Sequence, residues 1–340
     1  FSNGRDIGGV CNLPAVPGPV VLPMAGDVGS QYTPLIGWAQ AITYNRDVLN
    51  DGSYAGAIGC VLGGDSSVAT SGFWSALTIA TTLKLPVLFY IEDNGYGISV
   101  PSHFQTPGAN IAENLASFKN LRITQGDGTD AAGTAALCAE ATGSGREGNG
   151  PAMVRLTVPR LSGHSGQDTQ AYKPGDLLDR ERANDPLPKL RAYLAGGILT
   201  EAQLGEIEAQ AARDVEAGLA AALARPEPTG EGITRHRFAE RNDDGTPELQ
   251  TRGGLAPSAH QFPATTETPA PEGPRINMLT AIRRALEHEL ATNPKLLVFG
   301  EDVGPKGGVH AATLGLQERF GEQRVFDTSL SEEGIIGRAV

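Results

Sequence analysis

The sequence predicts an α/β protein: a parallel sheet flanked by helices, then a linker and the start of a second α/β domain. Three observations predict it. The segment Ala55 to Leu62 is a near-continuous apolar run, as expected of a strand buried on both faces. A helix-like stretch from about Ser71 to Leu83 separates it from a second apolar run, Val87 to Ile91, which makes a β-α-β unit. The same alternation restarts near residue 276, after a proline-rich stretch.

The elements follow in order. Residues 1 to about 160 are small, apolar and Gly-rich, and 1–175 is read as the first domain. A helical tail spans 176–225, with its pattern clearest from Leu177 to Ala224. In it Thr200 and Gln203 form a candidate capping box, and Leu204, Ile207, Ala211, Val215 and Leu219 recur on one face, which is expected to pack on the domain. Between Pro226 and Pro274 lie 8 of the 23 prolines with little periodicity, so 226–275 reads as a partly extended linker. A helix from about Met278 to Leu290, stopped by Asn293 and Pro294, and a strand from Leu296 to Phe299 open the second α/β domain, 276–340.

Composition bounds the function. With 340 residues, 40% apolar and 19% charged, the chain is neither a disordered acidic tail, a coiled coil nor a disulfide miniprotein. A net charge of −12 without a basic stripe argues against nucleic acid as a partner. Cys11, Cys60 and Cys138 are odd in number and far apart, so no disulfide framework or Cys-x-x-Cys knuckle is legible; a reducing, cytoplasmic setting is expected. No apolar run reaches the roughly 18 to 20 residues of a membrane span, so no membrane partner is expected. The chain begins with Phe1 in Gly-rich sequence, which suggests a fragment or a processed product.

The chemistry is most legible at the carboxyl ends of the first two strands, the edge where open α/β sheets bind ligands. Asp65 follows the first strand and Asn94 the second, so both are expected in one crevice. A carboxylate, an amide oxygen and a nearby carbonyl such as that of Tyr96 make an oxygen half-shell that suits magnesium or calcium rather than zinc. Phosphate oxygens and water would complete it. The Gly64-Asp65-Ser66-Ser67 turn is expected to open a helix whose free N–H groups favour an anion, which makes a metal-bridged diphosphate the natural occupant. The plainer alternative is an Asp N-cap and an Asn in a turn.

The stretch GGDSSVATSGFWSALTIATTLKLPVLFYIEDNGYGIS, Gly63 to Ser99, is similar to the thiamine diphosphate motif that starts Gly-Asp-Gly and ends Asn-Asn. More narrowly it resembles the thiamine diphosphate-dependent first component of 2-oxo-acid dehydrogenase complexes. GDVGSQ at Gly26 to Gln31, GDGTD at Gly126 to Asp130 and RLSGHSGQDTQAY at Arg160 to Tyr172 look like alpha-subunit segments. LLVFGEDVGPKGGVH and FGEQRVFDTSLSEEGIIG are similar to the start of the beta subunit. The order resembles the fused alpha-beta form of the enzyme, truncated at both ends.

The resemblance implies a thiamine diphosphate-binding fold, with 1–175 as the alpha-like diphosphate- and magnesium-binding domain and 276–340 as the start of the beta-like pyrimidine-side domain. It implies that Asp65, Asn94 and the Tyr96 carbonyl hold Mg2+, with Ser66 and Ser67 near the diphosphate and Arg160 a diphosphate contact. The competing reading of Arg160 is a surface charge beside Pro159. Gly26 and Val28 would hold the aminopyrimidine, His164 would lie at the reacting thiazolium, and Glu332 would face a ring nitrogen and help activate the cofactor. A loop histidine and a helix-start glutamate are the plainer readings of the last two; Glu333 is the neighbour most easily confused with Glu332, and Glu301 is a weaker cofactor contact.

The implied reaction is oxidative decarboxylation of a 2-oxo acid, branched-chain or pyruvate, with reductive acylation of a lipoyl group. Its implied partners are the lipoyl domain of the dihydrolipoyl acyltransferase and a second copy of the chain, a homo-oligomer with cofactor at alpha-beta junctions. Ser66 departs from the family motif where its second glycine stands, and Asp93 replaces the first asparagine. Ser165 matches a position phosphorylated in animal relatives. A transketolase-type enzyme shares the diphosphate loop but not the Arg160 to Tyr172 segment, and a fragment that only binds partner chains is the non-catalytic alternative.

Overall fold

The computed structural model describes residues 20–21, 26–227, 229–230, 244 and 273–339; Cys11 and nearly all of the 226–275 linker lie outside them. The chain divides into two compact units, Phe1–Glu227 with Ile336–Val340, and Pro228–Ile335.

In the first unit, α1 (Tyr32–Asp47) precedes β1 (Gly59–Gly64), α2 (Ser71–Leu83) and β2 (Val87–Asp93). A small antiparallel hairpin, β3 (Tyr96–Gly97) and β4 (Val100–Pro101), leads through α3 (Ile111–Asn114) to β5 (Arg122–Asp127), α4 (Ala131–Arg146) and β6 (Ala152–Thr157). The four long strands form one parallel sheet in the order β1-β2-β6-β5. The helix at 71–83 matches the sequence reading. The first strand does not: it covers 59–64 rather than 55–62, because 52–54 form a 3-10 turn held by the Asp51 side chain on the Ser53 N–H, and Gly56 sits at φ 70°.

Alternation along the strands feeds two cores. Phe89 and Ile91 point to one face with Tyr32, Ile36, Phe73 and Leu77 from α1 and α2. Leu88 points to the other with Val154 and Leu156, under Ala141 and Leu137 of α4. Both faces of the central strands β2 and β6 are covered, which is why Val87 to Ile91 reads as an apolar run. The expected burial of the first strand on both faces is overturned: β1 is an edge strand, with Leu62 62% exposed and Cys60 exposed as well. Cys60 and Cys138 are free thiols.

Three helices follow: α5 (Gly175–Ala183), α6 (Pro186–Ala195) and α7 (Glu201–Leu223). The capping box at α7 is formed, with the Gln203 N–H donating to the Thr200 hydroxyl and the Thr200 N–H to Gln203 Oε1. Replacing Thr200 by Ala is expected to cost about 1 kcal/mol, read from the urea midpoint. The expected packing of the α7 apolar face is overturned. Leu204 is buried, but Ile207, Val215 and Leu219 are 56%, 71% and 58% exposed. Near its start α7 is tied to α6 by Arg191 to Glu201 and Glu208 ion pairs, so its attachment is polar rather than along the apolar stripe.

The second unit begins with α8 (Met278–Thr292), two residues longer than expected and ended at Asn293 before Pro294. Then come β7 (Val298–Gly300), α9 (Leu316–Phe320) and β8 (Val325–Asp327), parallel to β7; α10 (Glu332–Arg338) starts in this unit, and its residues from Ile336 on are counted with the first. The expected strand at 296–299 starts two residues later, because the Arg324 side chain takes the Leu296 carbonyl together with those of Leu290 and Asn293. Leu290, Leu316 and Val325 form its small core. No helix among the described residues is long and apolar enough to cross a membrane.

Candidate functional site

Strand register builds the site. Gly64 of β1 stands beside Glu92 of β2, so the residues just beyond them, Asp65 and Asn94, meet at the carboxyl edge of the sheet. The Asn94 N–H donates to Asp65 Oδ1 at 3.4 Å, while Asp65 Oδ2 is buried with no hydrogen-bond partner. Burial, then the nearby Asp93 charge, push the Asp65 carboxyl up to about 6, against the Asn94 N–H and the Arg160 guanidinium. A buried carboxyl whose charged form is disfavoured and whose Oδ2 has no partner is a poor structural element and a good seat for a cation.

Asn94 Oδ1 accepts the Tyr96 N–H at 3.0 Å, a local turn that launches the β3-β4 hairpin and leaves the amide oxygen a second lone pair. Asp93 points elsewhere: it pairs with Arg155 of the neighbouring β6 and accepts the Gly95 N–H. Ser66 is accommodated at its glycine position because its backbone is right-handed, φ −80° and ψ −29°, and because Gly97 offers no Cβ where the Ser66 hydroxyl packs. That hydroxyl is buried and unpartnered. Ser67 differs, since its hydroxyl is engaged by the Gly64 carbonyl at 2.7 Å and the Tyr32 hydroxyl at 2.6 Å. The turn does not open α2 directly as expected. A 3-10 turn, Ser67–Ala69, intervenes, and Thr70 caps α2 by accepting the Phe73 N–H.

The segment carrying Gly26 and Val28 is an exposed turn before α1, and Gln31 donates from it to the Leu62 carbonyl of β1 at 3.1 Å. Gln31 thus ties the turn at 26–31 to β1, while the β1-α2 and β2-β3 junctions meet at Asp65 and Asn94.

A further segment comes from the end of β6. Arg160 is 8% exposed, which overturns the reading of it as a surface charge. Its guanidinium donates to the Ile98 carbonyl at 2.5 Å, lies 3.5 Å from the Tyr96 carbonyl and faces Asp168 at 3.7 Å. Ile98 sits at φ 54°, an uncommon conformation for a β-branched residue, and this turns its carbonyl into the site. Asp168 accepts the backbone N–H groups of His164 and Gln170 and the Tyr172 hydroxyl, which hold its carboxyl below the usual range. His164 is an exposed residue of that loop. The loop is anchored at its far end by Lys173, whose ammonium donates to both Glu181 oxygens and lies 5.1 Å from the centre of the Tyr96 ring.

The GDGTD segment lines a neighbouring cavity of about 470 Å³ through Asp127 and Thr129, with Asn94, Val158 and Glu181 among its other walls. Glu332 and Glu333 open α10 and are exposed; Glu301 follows β7 with Oε1 buried and unpartnered. Sequence reasoning missed the Asp93–Arg155 pair, the Tyr32–Ser67 bond and the Lys173–Glu181 pair. Lys173 next to Tyr172 was the nearest signal, but nothing local marks its partner.

The profile of the Dehydrogenase E1 component family matches residues 11–231, and that of the transketolase pyrimidine-binding domain matches 274–340. The acetoin:2,6-dichlorophenolindophenol oxidoreductase alpha subunit of Cupriavidus necator is 31% identical over 180 residues, 52% of this chain and 54% of that one. The pyruvate dehydrogenase E1 alpha subunit of Porphyra purpurea is 25% identical, covering 58% of this chain and 57% of its own. The pyruvate dehydrogenase E1 beta subunit of Leifsonia xyli is 47% identical over 78 residues, 23% of each chain. This chain thus spans about half the length of the alpha-type relatives and about a quarter of the beta-type one. With an alpha-type match followed by a beta-type match, the chain belongs to the dehydrogenase E1 component family, as a fused alpha-beta E1 fragment.

Proposed function

We propose that this chain supplies the diphosphate-binding side of a thiamine diphosphate- and Mg2+-dependent 2-oxo-acid dehydrogenase. The observation that carries the reading is the buried, unpartnered Oδ2 of Asp65 beside Asn94. The donor set fits the group: one carboxylate, one amide oxygen and the Tyr96 carbonyl are hard oxygen ligands without the imidazole or thiolate that zinc favours, and Mg2+ ordinarily keeps waters and phosphate oxygens as its other ligands. Among the described residues no cluster of three or more His, Cys, Asp or Glu competes for a metal.

Asp65 and Asn94 would hold the cation, the Ser66 hydroxyl would donate to a diphosphate oxygen, and Arg160 would neutralise diphosphate charge. Gly26 and Val28 would border the aminopyrimidine, and Glu332 would supply the carboxylate at its ring nitrogen. When bound, thiamine diphosphate supplies the nucleophilic carbon and electron sink that decarboxylation of a 2-oxo acid requires. His164, exposed on its loop, would give or take a proton at the substrate. The acyl group of a branched-chain 2-oxo acid or pyruvate would pass to the lipoyl domain of a dihydrolipoyl acyltransferase, in a homo-oligomeric enzyme. The domain division in this reading is 1–175 alpha-like, 176–225 helical tail, 226–275 linker and 276–340 beta-like.

Calorimetric titration of the chain with thiamine diphosphate, with and without Mg2+, tests the reading. Saturable binding that requires Mg2+ is expected; none at all would reject it. In the full-length enzyme His164→Ala is expected to lower turnover on the order of 100-fold while changing cofactor affinity little. Equal losses in both would make His164 a loop-ordering residue.

A further inference from the structure

Arg160 occupies an unusual position for a cation beside a cation site. Its guanidinium is buried against two backbone carbonyls, Ile98 at 2.5 Å and Tyr96 at 3.5 Å, and its carboxylate partner Asp168 is 3.7 Å away and already accepts three other donors. In the proposed function the Tyr96 oxygen is also the carbonyl that a metal held by Asp65 and Asn94 would take. Resting on the reading above, we infer that Arg160 is the resident cation of this site, held on the Ile98 and Tyr96 carbonyls until a diphosphate arrives, and that it makes the site select a metal–diphosphate pair over the bare metal.

The argument is one of charge and shared ligands. A guanidinium and a divalent cation that share one carbonyl in a low-dielectric pocket repel each other, so the bare metal is disfavoured while Arg160 stays in place. A diphosphate reverses the sign, because its oxygens accept from the planar guanidinium fork better than a neutral carbonyl does and are shared with the metal. The Arg160 charge already reaches the site, where it opposes the upward push on the Asp65 carboxyl. Ile98 at φ 54° contributes to the device: its left-handed backbone presents the carbonyl that Arg160 holds, and release of the guanidinium frees that residue to relax.

The test uses the whole chain and reads binding alone, with Mn2+ as the metal probe followed by electron paramagnetic resonance, alone and with inorganic pyrophosphate. Arg160→Gln is expected to bind bare Mn2+ several-fold more tightly than the wild type and Mn2+–pyrophosphate at least tenfold more weakly. Arg160→Lys, which keeps the charge and loses the fork, is expected to bind bare Mn2+ as the wild type does and pyrophosphate more weakly; it serves as the main variant if Arg160→Gln does not fold. Losses of equal size for both ligands in Arg160→Gln, or tighter Mn2+ binding in Arg160→Lys, would overturn the proposal. Asp65→Asn isolates the underlying reading: wild-type Mn2+ affinity in that variant would reject the metal site itself.

Discussion

Asp65→Asn is expected to make the metal-free protein more stable at pH 7.5 and to abolish its stabilisation by Mg2+ and thiamine diphosphate. The carboxyl is pushed from 3.8 to about 6 in the folded chain, chiefly by burial. A raised carboxyl holds its proton more tightly when folded, so its favourable contribution is full below about pH 3.8 and is lost as the pH rises through about 6. At pH 7.5 the ionised group therefore opposes folding by an amount on the order of 1–2 kcal/mol, allowing for partial screening by solvent. Asparagine keeps an oxygen for the Asn94 N–H and never ionises. Its Tm should exceed that of the wild type at pH 7.5, and the gap should close towards pH 4.

Ligand reverses the ranking. A metal–diphosphate pair at 100 times its Kd adds about 2.7 kcal/mol to a protein that binds it only when folded, and the wild type should gain this while the variant does not. Wild-type metal affinity should also rise with pH through about 6, because the metal must displace the Asp65 proton. A variant less stable than the wild type at pH 7.5, or one that keeps the ligand-induced rise in Tm, would show that Asp65 serves the fold.

Lys173→Met is expected to produce the largest loss of stability among these substitutions. The Lys173 side chain is 0% exposed and its ammonium donates to Glu181 at 2.9 and 2.7 Å and to the Arg160 carbonyl at 3.3 Å. Removing it strands a carboxylate that is 8% exposed, and breaking a buried pair from one side typically costs about 3–5 kcal/mol. The double variant Lys173→Met with Glu181→Leu should recover most of that loss, since replacing both charges by apolar groups removes the stranded ion. Urea denaturation of the four proteins in the cycle measures the coupling. A single-variant loss below about 1 kcal/mol would mean that solvent reaches Glu181 readily once Lys173 is gone.

The sequence by itself determined whatever repeats locally or sits at a fixed offset from a strand end. The helix at 71–83, the Thr200 capping box and the placement of Asp65 and Asn94 after parallel strands are all of this kind, because apolar periodicity and turn chemistry act over a few residues. The family was legible for the same reason, as several short segments in order. Tertiary structure alone decided the rest. It paired Asp93 with Arg155 and brought Arg160 to Ile98, contacts across 62 positions each that depend on which strands neighbour one another. It left the apolar stripe of α7 exposed, where periodicity alone had implied burial. It also left Asp65 Oδ2 without a partner while engaging the Ser67 hydroxyl, a distinction between polar groups two residues apart that no local pattern carries. Burial and charge at a site are sums over everything packed around it, so the residue types can be read from the chain, but their ionisation and their partners are properties of the assembled sheet edge.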